Sequence, residues 1–243
     1  MSATGNKNVI LIMGRPNVGK SHSLIGLKNP EKIAYFNTDL KELPFPSKFK
    51  INKEISYPYD ILNYIDEIER KGKDIETVVL DTLTYLFDMF ENQIIGNAAD
   101  TQKAWGEYGQ FYQTLLNKIK KGTKNYIILA HEAETYDAKE MVNDVSVPLK
   151  GATRKKGVEG DFSNILQART ISIATADKFP NDHLHISDDE REDGIKRVFV
   201  TRITADTLGH KIRSSYQLWK REELYIDNNI DTVLTKIQDY YRK

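Results

Sequence analysis

The chain has 243 residues, in which 35 lysines and arginines balance 35 aspartates and glutamates, and it has no cysteine. That length suits one large α/β domain with a real core or two small ones, the neutral balance excludes a global basic field but not a local nucleic-acid patch, and disulfides and thiolate metal sites are excluded. No apolar run approaches the roughly 18 residues of a membrane span, and the opening MSATGNKN has no signal-like apolar segment, so a soluble, cytoplasmic chain without a membrane partner is expected.

The first predicted strand, Val9–Met13, runs straight into Gly14-Arg15-Pro16-Asn17-Val18-Gly19-Lys20-Ser21-His22. Gly14 through Ser21 satisfies the G-x-x-x-x-G-K-[ST] phosphate-loop pattern. Its glycines let successive backbone N–H groups turn inward around phosphate oxygens, and a helix starting near Gly19 would aim its positive end at the same anion. Lys20 is expected on the β- and γ-phosphates of ATP and Ser21 on Mg²⁺. A surface turn is the plainer reading, but the apolar strand before the loop and the helix-compatible KSHSLIGLK after it argue against one.

The second predicted strand, Lys32–Phe36, leads into AYFNTDL and puts Asp39 at the carboxyl edge of the sheet, where it can polarise an attacking water. Glu42 competes for that role, and a structural turn stays open. Ile61, Leu62, Ile65 and Ile68 then share a helical face. In the strand Thr77–Leu80, Val78-Val79-Leu80 lead into Asp81, the arrangement of a Walker B carboxylate holding the Mg²⁺ water shell. An acid at a strand end can instead cap the next helix.

That helix carries Leu83, Leu86, Phe87, Phe90 and Ile94 on one face, and Asp100–Lys121 repeats the spacing with Trp105, Tyr108, Phe111, Tyr112, Leu115 and Ile119. These aromatics read as packing residues rather than base-stacking ones. The strand Tyr126–Ala130 ends in AHE, giving His131 and Glu132 to the ligand-binding edge. His131 is a candidate γ-phosphate sensor or an ordinary hydrogen-bonded residue. In LKGATRKKGVEGDF, Lys150, Arg154, Lys155 and Lys156 make four basic residues in seven, with Gly151, Gly157 and Gly160 for flexibility. That stretch reads as a loop contacting DNA phosphates or as a solvated basic loop.

Strands are expected at Thr170–Ala174 and Lys196–Ile203, with the acidic SDDERED an exposed excursion between them. A closing helix is expected over 227–241, with Ile230, Val233, Leu234 and Ile237 inward. Strands and helices alternate and no linker divides them, so residues 1–243 read as a single α/β domain with a mostly parallel central sheet flanked by helices.

The succession of phosphate loop, YFNTD, VVLDTLTYL, WGEYGQFYQTLL and YIILAHE resembles the RecA-like P-loop ATPases encoded by phages, compact proteins linked to recombination and single-strand annealing. The resemblance spans about Asn8 to Ser215, and the run Trp105 to Gly109 is its most particular element. It implies a RecA-like ATPase core, a homo-oligomer in a ring or filament, action on single-stranded DNA, a single-strand-binding protein as a further partner, and a host-cell cytoplasmic location. It also implies a role for Lys211-Ile212-Arg213, since RecA-like ATPases insert a Lys-x-Arg or Lys-x-Lys pair into the neighbouring subunit's site, where Arg213 would stabilise charge on the transferred phosphoryl group. A solvated basic turn is the other reading of that stretch. Asp39 stands where such enzymes usually have glutamate and His131 where they usually have glutamine, which implies slow hydrolysis unless DNA stimulates it. A nucleotide or small-molecule kinase is the runner-up, although no arginine-rich lid or compact acceptor pocket is evident. A non-hydrolysing ATP-switch adaptor is the third class.

Overall fold

The computed structural model describes residues 5–151 and 157–242. In chain order its strands are β1 (Val9–Gly14), β2 (Ile33–Asn37), β3 (Ile51–Glu54), β4 (Thr77–Asp81), β5 (Asn125–His131), β6 (Ala133–Asp137), β7 (Val142–Ser146), β8 (Asn164–Ser172), β9 (Ile195–Val200) and β10 (Tyr225–Asp227). The helices are α1 (Asp60–Lys71), α2 (Leu83–Phe90), α3 (Thr101–Lys121), α4 (Ile173–Ala176), α5 (Asp188–Asp193) and α6 (Ile230–Arg242).

Eight strands form one sheet in the order β10-β9-β8-β1-β5-β4-β2-β3, and β6 and β7 pair apart from it as a hairpin. From β8 to β3 the neighbours are parallel, while β9 and β10 extend the sheet antiparallel. The expected mostly parallel α/β architecture is therefore present. Strand β1 shows why it forms. All six of its residues are buried, as suits a parallel strand covered on both faces. Val9, Leu11 and Met13 pack into the layer holding α1, α2 and α3, and Ile10 and Ile12 pack into the layer closed by α6. Because β1, β2, β4 and β5 run the same way, Gly14, Asn37, Asp81 and His131 arrive at one edge of the sheet.

The helix bearing WGEYGQFYQTLL is α3, whose Asp100 side chain accepts a 3.0 Å hydrogen bond from the Lys103 N–H. Tyr108, Phe111 and Tyr112 are buried in the core, with Phe90 and Phe111 centroids 4.9 Å apart, and Trp105 meets Tyr108 edge-on at 5.5 Å. Packing, as expected, occupies these rings.

Five local expectations are corrected. The segment after the phosphate loop is a 3₁₀ helix, Ser21–Gly26, rather than an α-helix. It cannot continue, because Leu27 is extended and Asn29 takes a left-handed φ of 54° ahead of Pro30. The strand expected at Thr170–Ala174 is β8, which begins six residues earlier, and Ile173–Ala176 turns into α4 because the Ser172 side chain caps the Thr175 N–H at 3.3 Å. β9 ends at Val200, where the Thr201 hydroxyl donates to the Glu223 carbonyl at 2.6 Å. The acidic excursion is exposed as expected but helical, since Ser187 and Glu190 form a capping box and Gly194 closes α5 at φ 72°. Asp227 belongs to β10, so the closing helix starts at Ile230. The short strand β3 and the β6–β7 hairpin had no sequence expectation at all. No helix among the described residues is long and apolar enough to cross a membrane.

Candidate nucleotide site

The loop after β1 is shaped by backbone constraints that only particular residues meet. A Cβ on Gly14 would lie 2.8 Å from the Ala168 carbonyl oxygen, and Gly19 takes a φ of +92°. Asn17 adopts the left-handed region as well, at φ 65°. Above the loop opens a cavity of about 380 Å³, lined among others by Pro16, Asn17, His22, Asp39, Glu42 and Thr82.

Lys20 is only 6% exposed, and its ammonium donates to the carbonyls of Gly14 at 2.9 Å and Arg15 at 2.8 Å. Burial lowers its pKa to about 8, against the opposing pull of Asp81. A cation parked on two loop carbonyls is ready to exchange them for phosphate oxygens at small reorganisation cost.

The Ser21 hydroxyl donates to Asp81 Oδ2 at 2.7 Å, and the buried Tyr35 hydroxyl donates to the same oxygen at 3.0 Å. Asp81 is 2% exposed, and its other oxygen, Oδ1, is buried with no hydrogen-bond partner. Burial pushes this carboxyl up. An orphaned buried carboxylate oxygen is costly in isolation, and beside a serine hydroxyl it matches what a hard cation takes. Among the described residues no three acidic or histidine side chains converge to hold a metal by themselves. Mg²⁺ accepts such a sparse set, because it keeps water and substrate phosphate oxygens as its remaining ligands. The alternative role of Asp81 as helix cap falls to its neighbour, since α2 is capped by Thr82, whose hydroxyl accepts from the Tyr85 N–H at 3.3 Å.

His131 Nδ1 lies 3.4 Å from Lys20 Nζ, and the ring stands edge-on to Tyr85 at 5.3 Å. Burial first, and Lys20 second, lower its pKa, which keeps the imidazole neutral beside the ammonium. Asp39 lines the cavity and accepts the Lys41 N–H at 3.0 Å, while Glu42 lines the same cavity. Both carboxylates thus stay candidates for positioning water.

Other sequence candidates lie elsewhere. The Arg15 side chain turns away from the cavity and pairs with Glu134 of the hairpin, in a second cavity that Val18 also lines. Glu132 faces that second cavity, accepting from Gln167 Nε2 at 2.8 Å, and Gln167 Oε1 lies 2.8 Å from His210 Nδ1. Lys211 Nζ pairs with Asp144 Oδ2 at 2.8 Å, and Arg213 bridges Ile165 through its backbone. Neither Lys211 nor Arg213 lines the phosphate-loop cavity of its own chain. Lys150 pairs with Glu91, and with Asp88 at 3.4 Å. Arg154, Lys155 and Lys156 lie outside the described residues.

Sequence reasoning missed Tyr35, Arg197 and Asn228. Tyr35 is hidden inside an apolar strand, and the other two reach the loop from the far end of the chain, so no local spacing signals them. Asn228 Nδ2 donates to the Gly19 carbonyl at 2.9 Å across 209 residues.

The family whose model matches this chain is described as an AAA domain, and the match covers residues 6–209. No curated protein matches the chain.

Proposed function

From the premise that the chain belongs to the AAA domain family, whose character is that of a nucleotide-binding P-loop ATPase, we propose that it hydrolyses ATP in a Mg²⁺-dependent reaction and acts on single-stranded DNA as a homo-oligomer. The observation that carries the hydrolytic reading is the convergence of Lys20, Ser21 and Asp81, with one Asp81 oxygen bonded to Ser21 and the other buried without a partner.

On this reading the backbone N–H groups of Gly14–Ser21 cradle the phosphates, and Lys20 leaves the Gly14 and Arg15 carbonyls to follow the β- and γ-oxygens. Held by Ser21 and, through water, by Asp81, Mg²⁺ would neutralise charge on those oxygens. Tyr35 keeps Asp81 in place by donating to Oδ2. Asp39 or Glu42 orients the attacking water and draws on its proton. His131, neutral and beside Lys20, is placed to register the γ-phosphate and pass its state to the adjoining β6–β7 hairpin.

The DNA role rests on Lys150–Lys156 and on the resemblance to phage RecA-like proteins, with recombination, annealing or replication as the setting. Arg213 completes the site in trans from a neighbouring copy, consistent with its position away from its own phosphate loop. ATP turnover with and without single-stranded DNA tests the proposal. Stimulation by DNA supports it, phosphate transfer to a nucleoside monophosphate makes the protein a kinase, and ATP binding without turnover makes it a switch.

A further inference from the structure

The sheet sets two groups on opposite sides of the phosphate loop. Asp81 stands on β4, two strands from β1 in one direction, and Arg197 stands on β9, two strands from β1 in the other. The register brings Arg197 to the height of the loop, since β8 pairs Gln167 with Met13 and, three residues on, Thr170 with Arg197.

Arg197 also lines the phosphate-loop cavity, and its stem lies against Gly19, where an added Cβ would be 2.9 Å from Arg197 Cδ and 3.7 Å from Nε. Its neighbour Lys196 is fixed by Glu190 at 2.9 Å and Asp227 at 3.1 Å. The Arg197 guanidinium, by contrast, is exposed, and among the described residues it makes no hydrogen bond or ion pair. A planar group with five donors, free of acceptors and facing a phosphate cavity, is a recognition element rather than a structural one.

The direction of the nucleotide follows from the loop's own asymmetry. Lys20 and Ser21 send their side chains toward His131 and Asp81, which marks that side as the metal and terminal-phosphate end. Gly19, on the other side, is braced by Asn228 and covered by Arg197. A bound nucleotide therefore leaves the loop toward β9 with its α-phosphate and nucleoside. We infer that Arg197 grips the nucleoside end of the nucleotide within the same chain, by a forked contact to the α-phosphate at its junction with the sugar. This deepens the ATPase reading and rests on it. It also gives the antiparallel β9–β10 extension a purpose, since β9 carries Arg197 and the turn after β10 carries Asn228.

The test is calorimetric titration of ATP, ADP and inorganic tripolyphosphate into the parent, Arg197→Ala and Arg197→Lys, together with steady-state turnover. Arg197→Ala should weaken ATP and ADP by the same factor, about tenfold, as for loss of a hydrogen-bonded charge contact. Tripolyphosphate, which carries a phosphate at the α position, should be weakened as well, and the loss in kcat/KM should sit in KM. Arg197→Lys should recover only part of the affinity because it lacks the fork. Because the side chain is exposed, thermal unfolding should be little changed, and the Lys variant keeps the stem should Ala disturb β9. ATP weakened far more than ADP, or a loss confined to kcat, would move Arg197 to the terminal phosphate and overturn the inference. Tripolyphosphate bound unchanged, which would leave no α-phosphate contact, or no change in any ligand, would overturn it too. A parent protein that binds neither nucleotide would remove the ATPase reading itself, a result distinct from nucleotide binding that is indifferent to Arg197.

Discussion

The edge of the sheet at the phosphate loop and the loops bearing the basic segments are built in opposite ways. At the loop, Lys20 already meets His131 at 3.4 Å, and Ser21 and Tyr35 already meet Asp81 at 2.7 and 3.0 Å. In the basic segments two candidates are engaged elsewhere, Lys150 by Glu91 and Asp88, and Lys211 by Asp144. A site whose chemistry lies within one chain is assembled before its ligand arrives. On the proposed function, Lys150 and Lys211 would serve a second molecule, and they rest on surface ion pairs, each worth about 1 kcal/mol or less, which a polyanion or a neighbouring subunit can displace.

The sharpest way to break this contrast is Lys20→Ala, which removes the mobile cation and leaves the backbone cradle. Turnover should fall on the order of 10³-fold or to background, measured as phosphate release at saturating ATP. Retained turnover would mean that the contacts at this edge are structural only.

Next in size is Arg213→Ala, which probes whether a basic segment completes the nucleotide site in trans. It should bind ATP as the parent does and lose on the order of 10³-fold in rate, as for an arginine finger. Mixing it with Lys20→Ala should restore part of the turnover, because some interfaces then join an intact loop to an intact Arg213. An unrescued mixture that sediments as an assembly would reduce Lys211-Ile212-Arg213 to a basic turn.

Asp81→Asn sharpens the picture at the phosphate-loop edge. The amide keeps an oxygen for Ser21 and Tyr35 and places an NH₂ where the orphaned Oδ1 stood. Activity should drop by about 10²-fold with the thermal midpoint nearly unchanged. Thr82→Ala is the complementary variant, and loss of the α2 cap should cost about 1 kcal/mol of stability, read by denaturant unfolding. Were Asp81→Asn the one to unfold while the folded fraction stayed active, the metal role would pass to another group.

The smallest effect belongs to Lys150→Ala. Losing one phosphate contact should weaken single-stranded DNA binding a few-fold and lower the slope of log affinity against log salt by about 0.7. No change in that slope would leave Lys150 with its acidic partners alone.

How much of this the sequence disclosed follows the same division. Gly14, Gly19, Lys20 and Ser21 were legible because phosphate binding constrains a short contiguous stretch, and Asp81 because an apolar run delivers it to the sheet edge. The parallel core was legible from runs such as Val9–Met13, which only a strand buried on both faces requires. What was lost depends on long-range partners. Arg197 and Asn228 meet Gly19 only after the sheet closes, and Tyr35 reads as one more apolar strand residue. Thr170–Ala174 looked like strand because its composition suits one, whereas the Ser172 cap turns the chain there. The 3₁₀ segment after the loop was hidden behind helix-forming residues and shortened by Asn29-Pro30.

The account's central claim is that Ser21 and Asp81 hold the metal end of a nucleotide that Lys20 helps to cleave. Its most direct test is phosphate release from ATP by the assembled protein with single-stranded DNA present, as Mg²⁺ is titrated in and then chelated. The account predicts release that rises with Mg²⁺, stops on chelation and is absent in Lys20→Ala. Release that persists after chelation, or that Lys20→Ala sustains at the parent rate, would contradict it.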